Sequence, residues 1–300
     1  MTVERAAARA EAALRLARWD EAMRAAVELI AADPDDSTGF AMLSRAHLGK
    51  NEFKLAQKAA EDGLARTPNR EWLHRLRCHA LRLQGRYDDA VAAAEECVRL
   101  MPGASESHGA RAKALAALGR REEAMAAYDR AIALDPHDAL LHRELGDLLL
   151  SQAPAEAERH YRAALAINPS DAVTLNNFGA SLARQKRPDE AALAFKSAIL
   201  ADPTLRVAKQ NAHSTLSSQL GAAAGIGGAL WIALQAVRVA GTVESGIAIG
   251  AMLLAGFAYL VWRLVQKIRR SERLEALKAK DQQLYEIFTR LEADKKAGRL

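Results

Sequence analysis

Small and apolar side chains recur along residues 20–203 in steps of four and three. Ala22, Ala56, Ala90, Ala124, Ala157 and Ala191 are each followed four positions on by Ala26, Ala60, Ala94, Tyr128, Tyr161 and Phe195. Three further on come Leu29, Gly63, Cys97, Ala131, Ala164 and Ala198. Such steps place side chains on one face of an α-helix. Every run stops at a proline: Pro34, Pro68, Pro102, Pro136, Pro169 and Pro203, at spacings of 34, 34, 34, 33 and 34 residues. Proline has no N–H and its ring clashes with the preceding turn, so the ladder predicts one helix end per period. A fixed period in this range is the signature of a solenoid.

The starts of these helices are marked by acids: Asp20-Glu21, Asp88-Asp89, Glu122-Glu123, Glu156 and Asp189-Glu190. Negative charge is favourable in a first helical turn. Pro154 and Pro188 suit that turn because no N–H is needed there. The first half of each period also reads as a helix, with Phe40, Leu43 and His47 in the second repeat and Leu175, Phe178-Gly179 and Leu182 in the sixth. Short turns at 50–51, 84–86, 119–120 and 185–187 join the halves into helical hairpins. One hairpin cannot bury its apolar face, whereas a stack makes a continuous core.

The segment Leu175–Pro203, LNNFGASLARQKRPDEAALAFKSAILADP, resembles a tetratricopeptide repeat (TPR), and so does His108–Pro136. The resemblance lies in the small–aromatic–small–proline ladder of their second helices, and it covers roughly residues 3–203. It implies an all-α, right-handed superhelical solenoid of about six hairpins over residues 1–203, whose first helices line a concave groove for a protein or peptide ligand. The first repeat carries Ala6, Ala10 and Ala13 where larger residues are usual, which suits an N-terminal cap. Residues 204–219 resemble a further first helix without its partner, a capping helix.

Beyond residue 219 the pattern changes. Leu220–Val237 is 18 residues without a charge, and Gly246–Trp262 is 17 more. At 1.5 Å per residue each nearly spans a hydrocarbon core of about 30 Å. Two transmembrane segments, 220–237 and 246–262, are expected as an antiparallel hairpin. Gly221/Gly225, Ala224/Gly228 and Gly246/Gly250 form small-xxx-small pairs that let helix backbones touch in a membrane. Tyr259 and Trp262 suit the interface and precede Arg263, Lys267, Arg269 and Arg270. The positive-inside rule makes this basic side cytoplasmic; with two spans the repeats share it, in a bacterial inner membrane. One span with an interfacial helix would put the repeats on the other side. A buried hairpin capping the solenoid is the third reading.

The tail, 263–300, places Leu274, Leu277, Leu284, Phe288 and Leu291 on a coiled-coil-like seam that Asp281 breaks. It reads as an amphipathic helix that continues the second span, meets a second copy, or lies as a basic strip on anionic lipid.

Charge sharpens this division. The chain carries 42 basic and 37 acidic residues, a net +5. Residues 263–300 hold 11 basic and 6 acidic side chains, a surplus of 5, so the remainder is neutral. A neutral body with a basic tail argues against nucleic acid as a partner. The N-terminus has charges throughout and lacks the apolar core of a secretory signal. Cys78 and Cys97 form no CxxC pair and fall at small core positions, as reduced thiols.

Chemistry-bearing patterns are sparse. The eight histidines show no HExxH, and His74 and His79 are five apart, off a common helical face. The glycines around residue 225 follow no strand and precede no Lys-Ser/Thr, so they are no phosphate loop. Catalytic residues, metal and cofactor are therefore not expected, nor is an enzyme.

What remains is the groove. Counting from the ladder prolines, its positions include Arg45, Arg75, His79, Arg82, Lys113, Arg143 and Arg184, with Asn176 and the acid Asp147. Arginine and lysine either solvate an exposed face or hold an acidic or carboxylate-ended peptide, which arginine grips bidentately. The Lys/Asn carboxylate clamp of TPR chaperone cofactors is not reproduced: Ala41 and Arg45, then Arg75 and His79, stand in its place. The expected function is a membrane-anchored scaffold or adaptor. The alternative is an integral assembly subunit of a larger membrane complex. Expected partners are a protein or peptide, the lipid bilayer, and a second copy through hairpin or tail.

Overall fold

The structure, a computed structural model, describes residues 3–220, 275–276, 278–279 and 281–299, with side chains in the first stretch up to residue 214. These residues fall into two compact units, one ending at Leu141 and the other beginning at His142.

The first unit contains α1 (Val3–Arg15), α2 (Trp19–Ala32), α3 (Thr38–Gly49), α4 (Phe53–Leu64), α5 (Glu71–Leu83), α6 (Tyr87–Leu100), α7 (Ser105–Leu118) and α8 (Arg121–Leu134). Each of these helices packs against the next. α9 (Ala139–Leu149) starts just before the unit boundary. The second unit continues with α10 (Pro154–Ile167), α11 (Ala172–Arg184), α12 (Pro188–Ala201), α13 (Arg206–Leu220) and α14 (Gln282–Lys296).

The small-residue face forms the core for a physical reason. Ala22, Ala56, Ala90, Ala124, Ala157 and Ala191 are all fully buried. A methyl group there lets the neighbouring backbone approach, and in the last three repeats Tyr128, Tyr161 and Phe195, four positions on, fill what room remains. In the second unit that approach goes to its limit. A Cβ on Gly146 would stand 2.7 Å from the Tyr161 ring, and one on Gly179 2.7 Å from the Phe195 ring. The aromatic side chain of each second helix therefore lies directly on bare backbone of the first.

The helix boundaries follow the prolines. α2, α6, α8, α10 and α12 each end two residues before theirs. α4 stops earlier, at Leu64, just past Gly63, a weak helix former. The chain then turns, with the Thr67 N–H and hydroxyl both donating to the Gly63 carbonyl. Pro154 and Pro188 open α10 and α12.

Every hairpin turn but the one between α9 and α10 uses one backbone device. Ala17, Asn51, Gly85, Gly119 and Lys186 all take positive φ, at 53°, 61°, 77°, 85° and 60°. Glycine and asparagine tolerate this region, whereas other L-residues are strained in it. Lys186→Gly is expected to raise stability by roughly 1 kcal/mol. Urea denaturation checks this, and an unchanged or lower midpoint would contradict it.

Among the described residues no helix is long and apolar enough to cross a membrane. Apart from Leu220, the two uncharged stretches lie outside the described residues, and so do Gly221, Gly225, Gly228, Gly246 and Gly250. The tail differs from its sequence pattern. Leu284, Ile287, Phe288 and Leu291 are buried, and α14 packs on α12 of the same chain. The described part of the seam thus packs against the chain's own repeats. Asp281 is not a break but the N-cap, accepting from the Leu284 N–H at 3.1 Å. Leu274 and Leu277 lie outside the described residues.

Candidate functional site

In the first unit the first helices of three hairpins, α1, α3 and α5, border a cavity of about 610 Å³. Arg45, Leu48 and Gly49 reach it from α3, spaced so that they share a helical face. Trp72, Arg75, Leu76 and His79 reach it from α5 by the same rule, and Leu14 and Trp19 close the α1 end. Trp19 owes its position to Gly49: a Cβ there would lie 2.7 Å from the indole ring. The floor is therefore apolar and aromatic, with two guanidinium groups and an imidazole at its edge.

Both arginines have acidic neighbours. Arg45 Nη1 donates to Glu11 at 2.9 Å, and Arg75 Nε lies 3.6 Å from Glu71, which also accepts from the Ser107 hydroxyl at 2.9 Å. The Arg45–Glu11 pair is exposed on both sides, and such pairs contribute about 0–1 kcal/mol. A ligand carboxylate can therefore exchange for Glu11 on Arg45 at little loss. His79 keeps part of its surface open to solvent, yet packing around its ring, with the nearby charges of Arg82 and Lys113, pushes its imidazolium down to about 4. His79 is thus neutral near pH 7 and offers one donor and one acceptor. Arg45, Arg75 and His79 share this cavity, and Arg82 and Lys113 sit close enough to His79 to act on its charge.

Trp19 and Trp72 were not among the groove residues picked out by charge. The available signal was their rarity: the chain has four tryptophans, and two of them stand in the first turns of α2 and α5. Cys78 and Cys97 are buried and unbridged, and burial pushes the Cys78 thiol up to about 11. Among the described residues no group of three or more His, Cys, Asp and Glu is placed to hold a metal ion.

The remaining groove positions lie in the second unit, where Arg143 and Arg184 both stand close enough to Tyr161 to act on its charge. Arg143 Nη1 lies 3.8 Å from Asp171. Asn176 is buried, donating to Asn177 at 3.0 Å and accepting from Asn211 of α13 at 2.9 Å. Asp147 accepts from the Tyr161 hydroxyl at 2.8 Å and from Asn177 at 2.7 Å. Burial first, then the Asp147 charge, raises the Tyr161 phenol well above its ordinary range. Arg184 is exposed at the end of α11. Asn176 is thus engaged in a side-chain network that α13 completes.

A stack of helical hairpins with small-residue contacts and proline-marked ends defines a class, the helical-repeat scaffolds. Within that class, residues 112–152 match a family model described as TPR repeat, and residues 152–205 one described as Tetratricopeptide repeat. The fold is also that of TTC0263, a thermophilic TPR protein of Thermus thermophilus, at 22% identity and a TM-score of 0.56, covering 61% of this chain and 100% of that one. A chain of the APC/C hetero-tetramer Cut9–Hcn1 aligns at 17% identity and a TM-score of 0.62, over 70% of this chain and 42% of its own length. PilF of Pseudomonas aeruginosa aligns at 16% identity and 0.57, over 69% and 95%. Comparison with curated proteins returned no match.

Proposed function

We propose that this chain is a TPR scaffold that holds an acidic or carboxylate-ended peptide segment of a protein partner in the groove of α1, α3 and α5, and that residues 220–262 tether it to a membrane. The observation that carries the first half is the gathering of Arg45, Arg75 and His79 with Trp19 and Trp72 around one cavity. Tryptophan and arginine are the residues that most often dominate binding energy at interfaces. An apolar side chain fits the indole-lined floor while a neighbouring carboxylate reaches the guanidinium groups, which supports a ligand combining both. Residues 1–203 then bind, 204–219 cap, 220–262 anchor, and 263–300 form a basic tail.

The charge reversal Arg75→Glu with Lys113→Glu tests the groove. Capture of partners from detergent-solubilised membranes is expected to fall by about tenfold or more. The circular dichroism spectrum should stay unchanged and the unfolding midpoint should fall only slightly, through loss of the Arg75–Glu71 contact, because both substituted side chains are only partly buried. Undiminished capture would overturn the groove reading. Because His79 is held neutral, capture should also be flat between pH 5.5 and 8, values chosen to lie above its depressed pKa of about 4; a step near 6.5 would place a charged imidazole in the site.

Support for the membrane half lies in the sequence, in two uncharged stretches followed by Arg263, Lys267, Arg269 and Arg270. Retention of the full chain in the pellet after carbonate extraction is expected, and complete release would contradict it. The glycine pairs along these stretches also suit packing against other spans. Stoichiometric co-purification of integral proteins, unaffected by the charge reversal, would favour a subunit of a larger membrane assembly.

A further inference from the structure

α12 carries a helix on each side of the chain segment that the structure does not describe. α13, which leads up to residue 220, packs on α12, and α14, which follows residue 281, packs on it as well. The second contact is held by more than apolar burial. Arg162 of α10 donates to both carboxylate oxygens of Asp281, through Nη1 at 2.8 Å and through Nη2. The same guanidinium pairs with Glu158 at 2.8 Å and lies 4.8 Å from the centre of the Phe178 ring. Gln283 donates to the Arg162 carbonyl at 3.2 Å. At the far end of α14, Lys196 of α12 lies over the Phe288 ring at 4.4 Å and 3.7 Å from Glu292. Asp281 is itself buried, so its charge needs Arg162 to remain ionised there.

We infer that α14 and the repeats of the second unit lie on one and the same face of any membrane this chain enters. The inference rests on the membrane reading above, but on different residues. Groups bonded at under 4 Å cannot stand on opposite sides of a hydrocarbon core about 30 Å thick. A docked α14 is therefore compatible with an even number of crossings between residues 220 and 281, and incompatible with one. This removes the arrangement in which a single span puts the repeats and the basic tail on opposite sides. It also makes the tail helix a strap laid on the repeats of the second unit.

The test uses the full chain in sealed spheroplasts and in inverted vesicles. Lys209→Cys and Lys295→Cys, both exposed, are labelled one at a time with a membrane-impermeant maleimide against the wild-type background. Both should label from the same face, and a short bis-maleimide should join Lys196→Cys to Glu292→Cys within one chain. Labelling from opposite faces overturns the inference, as does absence of the intrachain cross-link. A cross-link that forms only between copies overturns it too. Carbonate release of the chain would count against membrane anchoring alone, and the cross-link would still decide whether the strap is closed.

Discussion

Phe195→Ala is expected to destabilise the second unit by about 3–5 kcal/mol. The ring is almost fully buried in α12 and lies against the backbone of Gly179 in α11. Truncation leaves a cavity that glycine cannot fill, and the flanking Ala191 and Ala198 have no side-chain length with which to collapse into it. The loss spreads, because α12 supports α13 and α14 as well as α11. The opposite error is also costly. Gly179→Ala puts a methyl group 2.7 Å from the ring and is expected to destabilise by about 1–3 kcal/mol. Combining Gly179→Ala with Phe195→Leu should recover part of both losses, since the shorter side chain makes room for the methyl group. Urea denaturation followed by circular dichroism, with hydrogen exchange to localise the effect, measures all three. Simple additivity in the double variant would show that the two residues do not share one space.

Arg162→Ala is expected to release α14, with a loss of about 2 kcal/mol. Removing one partner of a fully buried pair typically costs about 3–5 kcal/mol. The smaller figure applies here because the Arg162 side chain is 27% exposed, so solvent screens part of the interaction. Asp281 would be left as a buried carboxylate without its partner, whereas Glu158 would keep Arg187 at 2.6 Å and the Gln185 amide at 2.7 Å. Arg162→Lys, which keeps the charge beside Asp281 and Glu158, should retain part of the docking, and Arg162→Ala should not. Hydrogen exchange of residues 282–296 reports the release directly. Unchanged protection there would mean that the apolar face alone holds the helix.

The same contact fixes a pH dependence. Burial pushes the Asp281 carboxyl up, but hydrogen bonds from Arg162 and the Leu284 N–H, with the charges of Arg162 and Arg187, outweigh it and hold the group below its ordinary value. A carboxylate depressed in the folded state contributes fully above its unfolded value of about 4, and that contribution is lost as pH falls through the lower folded value. Protection of α14 should be constant through the neutral range and fall only in acid below about pH 4. A loss centred near 6.5 would point to a histidine instead.

The repeat core was legible because it is written in composition at fixed spacing. An alanine twelve positions before every ladder proline has only one physical use, a close helix contact, and all six are buried. The groove was legible only in part. Arg45, Arg75 and His79 could be placed by counting from the prolines, since charge on a first helix stands out against apolar neighbours. Trp19 and Trp72 could not, because an aromatic residue at a helix start is equally consistent with core. Asn176 illustrates the opposite problem. Its position counts as groove, yet Asn211, 35 residues on, covers it. The docking of α14 was the least visible feature. Arg162 and Asp281 lie 119 residues apart, and Asp281 looks like a flaw in the seam until its two partners, the Leu284 N–H and Arg162, are in view.

Selection of random peptides on the immobilised full-length chain in detergent tests the central claim most directly. The predicted result is enrichment of peptides that pair an aspartate, glutamate or free C-terminal carboxylate with an adjacent aromatic or large aliphatic residue, lost in the Arg75→Glu, Lys113→Glu variant. Enrichment of basic or purely polar peptides would contradict the account, as would selection that survives the charge reversal.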